Sequence, residues 1–278
     1  MAIDFKALAA KAAATRDMTQ AQAGGGDYEP PAAGMARCRL VAYIETGRHR
    51  EEYKGQPKVK EKVTLIFELS GPKHKPTEGV PIRLTITESL SLNEKANFFK
   101  LFQRMNYQGK SHFAEMLGDD FICTVVHKKS TDGKKTYANL RDEGGYTVRP
   151  PFLPNPETGE DVRIVADPQI SPTKCFIWDY ADAEQWASIF IDGSYDEKKL
   201  DDGTVIPAKS KNQFQNAIRS AINFEGSPAQ EVILAAGGDA LALPPVVTPA
   251  RDEEDVQASA DKKAGASSGA DADPLAGM

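Results

Sequence analysis

The sequence predicts an α+β protein: a five-stranded β-barrel with added helices and a disordered acidic carboxy-terminal tail. Three observations lead there. Apolar residues recur at every second position in five stretches between Met35 and Val148. One amphipathic helix interrupts them between the third and fourth stretches. The charge also changes sign along the chain. Residues 31–150 carry 21 Lys+Arg against 14 Asp+Glu, residues 151–249 carry 7 against 15, and residues 250–278 carry 3 against 7. The net charge of −6 averages this asymmetry away.

Four segments follow from composition. Residues 1–33 read as an Ala-rich helix (Ile3–Thr15) and a Gly/Pro joint (Ala23–Pro31) that cannot continue a helix. Residues 34–150 form the barrel, 151–242 an acidic α/β extension packed on it, and 243–278 a tail of Pro, Ala, Ser, Gly and Asp without apolar periodicity.

Within the barrel, Met35–Thr46 alternates Cys38, Leu40, Ala42 and Ile44 against Arg37, Arg39, Val41 and Tyr43. Gly47–Pro57 reads as a polar loop ending in a Gly-Gln-Pro turn. Lys58–Ser70 sets Val63, Leu65, Phe67 and Leu69 against Lys58, Lys60, Lys62 and Thr64, and Ile82–Ser89 alternates again. The period then changes to helical over Leu92–Tyr107, with Ser91 and Glu94 spaced as a capping box. His112–Leu117 is a shorter helix. Asp120–Lys128 and Lys135–Val148 are the last two strands, joined through a Thr131-Asp132-Gly133 hairpin signal. Five strands with a helix between the third and fourth is the order of an OB-fold, whose face and loops bind single-stranded nucleic acid or sugars. In the extension, Val162–Val165 and Cys175–Asp179 read as strands, and Ala181–Ile191 and Ser210–Phe224 as helices.

The chemistry-bearing pattern is cationic and aromatic. Arg37, Arg39 and Tyr43 share one strand face, and Arg48, His49, Arg50, Tyr53 and Lys54 fill the following loop. Lys58, Lys60 and Lys62 share a face of the next strand, while Lys128, Lys129, Lys134, Lys135 and Tyr137 surround the later hairpin. Such cations neutralise phosphates without reading sequence, and rings between them offer stacking surfaces to splayed bases. Lysines on outer strand faces also serve solubility and edge protection. Phe98, Phe99 and Phe102 at helical spacing read as core before stacking platform, as do Trp178 and Trp186.

Other chemistry finds little purchase. Cys38, Cys123 and Cys175 lack CxxC spacing and read as reduced thiols. His49, His74, His112 and His127 lack ligand spacing for zinc. Asp179, Asp182 and Glu184 cluster beside Trp178, but Asp182 suits an N-cap better than a metal site. There is no P-loop, GxSxG or HExxH motif. The reading therefore expects no enzyme, metal or cofactor. The absence of a signal-like amino terminus and of a long apolar run predicts a cytoplasmic protein without membrane contact. A homo-oligomer is compatible with the sequence.

The chain resembles a family of bacteriophage single-stranded DNA-binding proteins. The similarity lies in Gly-Gly-Asp-Tyr-Glu-Pro-Pro at residues 25–31, Lys58–Gly71, Ser89–Asn106 and Ile170–Gly193, and spans most of residues 26–230. The resemblance implies an OB-fold that coats single strands during replication, recombination or repair, with an acidic tail contacting replication or recombination proteins. This chain ends in Met278, where many such tails end in Phe. The alternative expectation is a non-enzymatic replisome or recombination adaptor whose basic face meets an acidic protein partner.

Overall fold

A computed structural model describes residues 29–53, 55–130, 133, 135–199 and 205–235. The helix expected at Ile3–Thr15, most of the joint after it and the tail from Leu243 lie outside the described residues. The described residues of Asp196–Lys209 belong to a separate unit, in which Lys198 pairs with Ile206 and Lys199 with Val205.

The principal unit opens with β1 (Gly34–Tyr53), β2 (Gln56–Ser70), β3 (Arg83–Ser89) and α1 (Asn97–Met105). A 3-10 turn at Phe113–Met116 leads to β4 (Asp120–Lys129) and β5 (Thr136–Asn139). Then come β6 (Arg141–Asp142), β7 (Gly145–Tyr146), β8 (Phe152–Pro154), β9 (Asp161–Arg163) and β10 (Lys174–Phe176). Three short helices finish it: α2 (Ala183–Ser188), α3 (Gln213–Arg219) and α4 (Pro228–Ala235).

The fold is α+β around a mostly antiparallel sheet of order β3-β2-β1-β4-β5, with β10 added parallel to β1. No ladder joins β3 to β5 among the described residues, so the sheet is open where the sequence predicts a closed barrel. The reason is local. β5 ends at Asn139, and the chain folds into the β6–β7 hairpin instead of continuing along β3. Side chains span the gap: the Tyr146 hydroxyl donates to Glu88 of β3 at 2.5 Å, and Arg141 stands 3.7 Å from the same carboxylate.

The sheet buries both faces. Its inner face packs Leu40, Tyr43, Leu65 and Phe67 against Phe98, Leu101 and Met105 of α1. Its outer face packs Val41, Ala42, Ile44 and Ile66 against Phe176, Trp178, Trp186, Phe214, Ile218 and Phe224 of the later segments. β1 serves both layers because its register against β2 shifts twice, between Leu40 and Ala42 and between Glu45 and Gly47. A bulge sets two residues opposite one and reverses the alternation. Tyr43 is thereby turned inward, 1% exposed.

Several element boundaries move for identifiable reasons. The capping box at Ser91 does not form. Asn93 accepts from the Lys95 amide at 2.9 Å and holds the chain in a turn, and α1 begins only after Ala96, which gives no side-chain cap. The predicted strand Lys135–Val148 breaks where Asp142 accepts from the Gly144 amide at 2.8 Å. Asp182 does cap α2, accepting from the Gln185 amide at 2.8 Å. Hydrogen bonds from the Gln185 side chain and amide hold its carboxyl below the usual range.

Buried carboxylates tie distant segments to the sheet. Glu68 of β2 accepts the backbone amides of Ile170 at 2.8 Å and Ser171 at 2.6 Å. Glu45 of β1 accepts the Tyr43 hydroxyl at 2.6 Å and the Trp178 amide at 2.8 Å. Burial, followed by the Glu45 charge, pushes the Tyr43 phenol far above its ordinary value, so it stays a donor at any physiological pH.

Candidate nucleic-acid interface

Past the second register shift, β1 and β2 run on as a two-stranded ribbon. It pairs Arg48 with Glu61, His49 with Lys60, Arg50 with Val59, Glu51 with Lys58 and Tyr53 with Gln56. The polar loop expected at Gly47–Pro57 is thus mostly a ladder. Opposite charges facing each other across strands favour that outcome. Arg48 lies 2.9 Å from Glu61, and Lys60 lies 3.5 Å from Glu51. β3 pairs with β2 only over Lys62–Glu68, so the ribbon runs beyond the reach of β3.

The two-residue period sorts the ribbon into faces. Arg48, Arg50, Pro57, Val59 and Glu61 continue the inner face of the sheet, while His49, Glu51, Lys58 and Lys60 continue the outer one. Arg48, Arg50 and Lys58 are exposed. Exposed ion pairs such as Arg48–Glu61 contribute only about 0–1 kcal/mol, so a phosphate can displace the carboxylate. His49 serves the ribbon differently. Its Nε2 donates to the Thr46 carbonyl at 2.9 Å, and burial holds the imidazole below its ordinary pKa. Tyr53 closes the ladder through its backbone, and Lys54 lies outside the described residues.

A second basic group forms at the end of β4. Lys128 and Lys129 are exposed and pair in register with Tyr137 and Thr136, and Tyr137 is half-buried. Lys135 is exposed, and Lys134 lies outside the described residues. Because Gly34 pairs with Val125, this group stands past the first residues of β1, whereas the ribbon stands past its middle. The two groups therefore flank opposite ends of β1 and do not share one strand face.

Three of the remaining candidates, Tyr43, Lys62 and Arg39, are structural. Tyr43 is buried against Phe113 and His112 and cannot stack on a base. Lys62 is buried and bridges Glu51. Arg37 is the exception: it pairs with Asp167 at 3.2 Å in an exposed ion pair as open to displacement as Arg48–Glu61, but it lies outside the ribbon. Arg39 pairs with Asp120 at 2.7 Å, with side chains 16% and 8% exposed, and Arg163 stands 3.5 Å from the same carboxylate. The predicted binding face on β1 and β2 is itself covered along Val41–Ile44 by the Trp178 and Trp186 layer. Arg39→Ala strips the buried carboxylate of its main partner and should cost about 3 kcal/mol of stability. It should leave oligonucleotide affinity unchanged per folded molecule. Denaturant melts alongside binding titrations check both halves.

One feature escaped the sequence reading. An open cleft of about 720 Å³ lies where the ribbon meets the segment between β3 and α1, and Lys95 and Asn97 line it together with Arg48 and Lys60. Lys95 sits in a turn, where strand alternation gives no signal.

Among the described residues, no group of three or more His, Cys, Asp or Glu could hold a metal ion, and no helix is long and apolar enough to cross a membrane. Cys38, Cys123 and Cys175 are free thiols. No family model, curated protein or solved structure matches the chain.

Proposed function

We propose that this chain is a non-enzymatic single-stranded DNA-binding protein that coats DNA without sequence preference during phage replication, recombination or repair. The observation that carries the reading is the ribbon: Arg48, Arg50, Lys58 and Lys60 stand on a two-stranded arm past the third strand, out of the covered sheet face. Arg48 and Arg50 stand on one face of the arm and Lys58 and Lys60 on the other, so a strand that crosses the arm meets cations on both faces and releases counterions. An OB-type architecture is part of the proposal. The order β3-β2-β1-β4-β5, with α1 between β3 and β4, supports it, and the side-chain bridge at Glu88 stands where such a barrel closes.

The second reading is an adaptor that meets an acidic protein. It draws on the ribbon's own carboxylate pairs, since Glu61 and Glu51 show that these cations accept carboxylates. One titration separates the two. The full chain is titrated with oligo-dT, a duplex of equal length and oligo-rU at low salt. The coating reading expects oligo-dT to bind at least about tenfold tighter than duplex. Absence of binding to all three leaves the adaptor.

A further inference from the structure

The cleft beside the ribbon has a composition that the ion-paired surface around it lacks. On β2, Val63, Leu65, Phe67 and Leu69 face the main core, and the same period brings Val59 to that face. The core stops short of it. Leu90 donates its amide to the Glu61 carbonyl at 2.9 Å, then the chain leaves the sheet and α1 begins only at Asn97. Val59 is left 55% exposed on an inward-facing wall. Leu90 is half-buried beside it in the same cleft.

The charges around this apolar floor are unequal. The carboxylates have internal partners: Glu61 holds Arg48 at 2.9 Å, and Glu88 holds the Tyr146 hydroxyl at 2.5 Å and Arg141 at 3.7 Å. Lys95 is exposed, and its ammonium has no partner among the described residues. Arg50 faces Val59 across the ribbon, also exposed. The volume of about 720 Å³ lies within the roughly 300–1,000 Å³ that suits small organic groups.

We infer that this cleft seats an unstacked nucleotide of a bound single strand, its base on Val59 and Leu90 and its flanking phosphates on Lys95 and Arg50. The inference rests on the nucleic-acid reading above and names a path for the strand: it crosses the ribbon from the Lys58 and Lys60 face and enters the cleft on the inner-face side toward α1, away from the Lys128–Lys135 end of the sheet. An aliphatic floor of Val59 and Leu90 carries no hydrogen-bonding group that reads a base edge, which fits sequence-independent coating.

The test uses the full chain, Lys95→Glu and the milder Lys95→Gln, with oligo-dT carrying 5-iododeoxyuridine for photocrosslinking. Lys95→Glu should weaken oligo-dT binding about tenfold, and Lys95→Gln about threefold. Each should make the slope of log affinity against log salt shallower by about 0.7. Crosslinks should fall on Val59 or on Leu90–Lys95. If the wild-type chain binds but both variants match it in affinity and slope, or crosslinks fall only on Lys128–Tyr137, the cleft assignment is overturned and the coating reading stands. If the wild-type chain does not bind at all, both fall together. Circular dichroism melts of the variants should overlay the wild type, because Lys95 is exposed and its ammonium is in no ion pair among the described residues.

Discussion

Gly47→Ala should lower the melting temperature on the order of 10 °C. Gly47 adopts φ +82°, and a Cβ there would sit 2.4 and 2.5 Å from the Trp178 ring and 2.7 Å from the Ala221 Cβ. Two costs add. A left-handed backbone costs a non-glycine residue about 1–2 kcal/mol, and overpacking a fixed aromatic adds about 1–3 kcal/mol. A loss of about 2–5 kcal/mol in a chain of this size gives the stated shift. Gly47 matters because it sits at the second register shift of β1, where the strand passes beneath Trp178 and becomes the ribbon. The backbone there is also pinned by the later segments: the Arg48 amide donates to Asn223 at 2.7 Å, and Ile222 donates to the Arg48 carbonyl at 2.8 Å. The chain has 2 tryptophans, Trp178 and Trp186, and both lie in this outer layer, so tryptophan fluorescence reports on it selectively. Gly55→Ala is the control. It shares a positive φ of 71° but meets nothing within 4 Å, so it should cost only the backbone share. Equal melting temperatures for the two variants would contradict the packing account.

Arg50→Glu combined with Lys58→Gln should reduce oligo-dT affinity by about 100-fold or more at low salt. Each lost charge-assisted contact to a phosphate is worth about 1.5–3 kcal/mol, and the reversed charge adds repulsion. Both side chains are exposed, so the fold should hold: surface substitutions usually stay within about 0.5 kcal/mol. Gln at position 58 avoids placing a second carboxylate opposite Glu51. Fluorescence anisotropy with labelled oligo-dT measures the affinity, and a thermal melt confirms the fold. A loss below about threefold would move the interface off the ribbon.

The first half of β1, most of β2, β3 and the body of α1 were legible because their apolar spacing is local information. Val63, Leu65, Phe67 and Leu69 alternate without interruption, and β2 has no register shift within that run except at its β1 partner. Tyr43 was misplaced because the bulge at Leu40/Ala42 carries no glycine to announce it. A signal was present nonetheless: Leu40–Ile44 is apolar at five consecutive positions, the mark of a strand buried on both faces. Reading it so would have placed Val41 and Ala42 under the tryptophans. The ion pairs were illegible for another reason. Asp120 and Asp167 lie far from Arg39 and Arg37 in sequence, and only the tertiary fold brings them together. Burial accordingly takes Tyr43, Lys62 and Arg39 out of the sixteen candidate positions.

The side-chain bridge across the open seam at β3 depended equally on distant partners. Glu88 gathers Tyr146 and Arg141 from the hairpin that replaces the second half of the expected fifth strand. The Gly144-Gly145 pair signalled that break, since Gly145 takes φ +114° where a continuing strand would not.

The decisive measurement is the salt dependence of oligo-dT binding for the full chain beside the Arg50→Glu/Lys58→Gln chain. Four ribbon cations on phosphates predict a slope of roughly −3 for log affinity against log salt, falling toward roughly −1.5 in the variant. A slope near zero in the wild type, or one the variant leaves untouched, would contradict a phosphate grip by this arm.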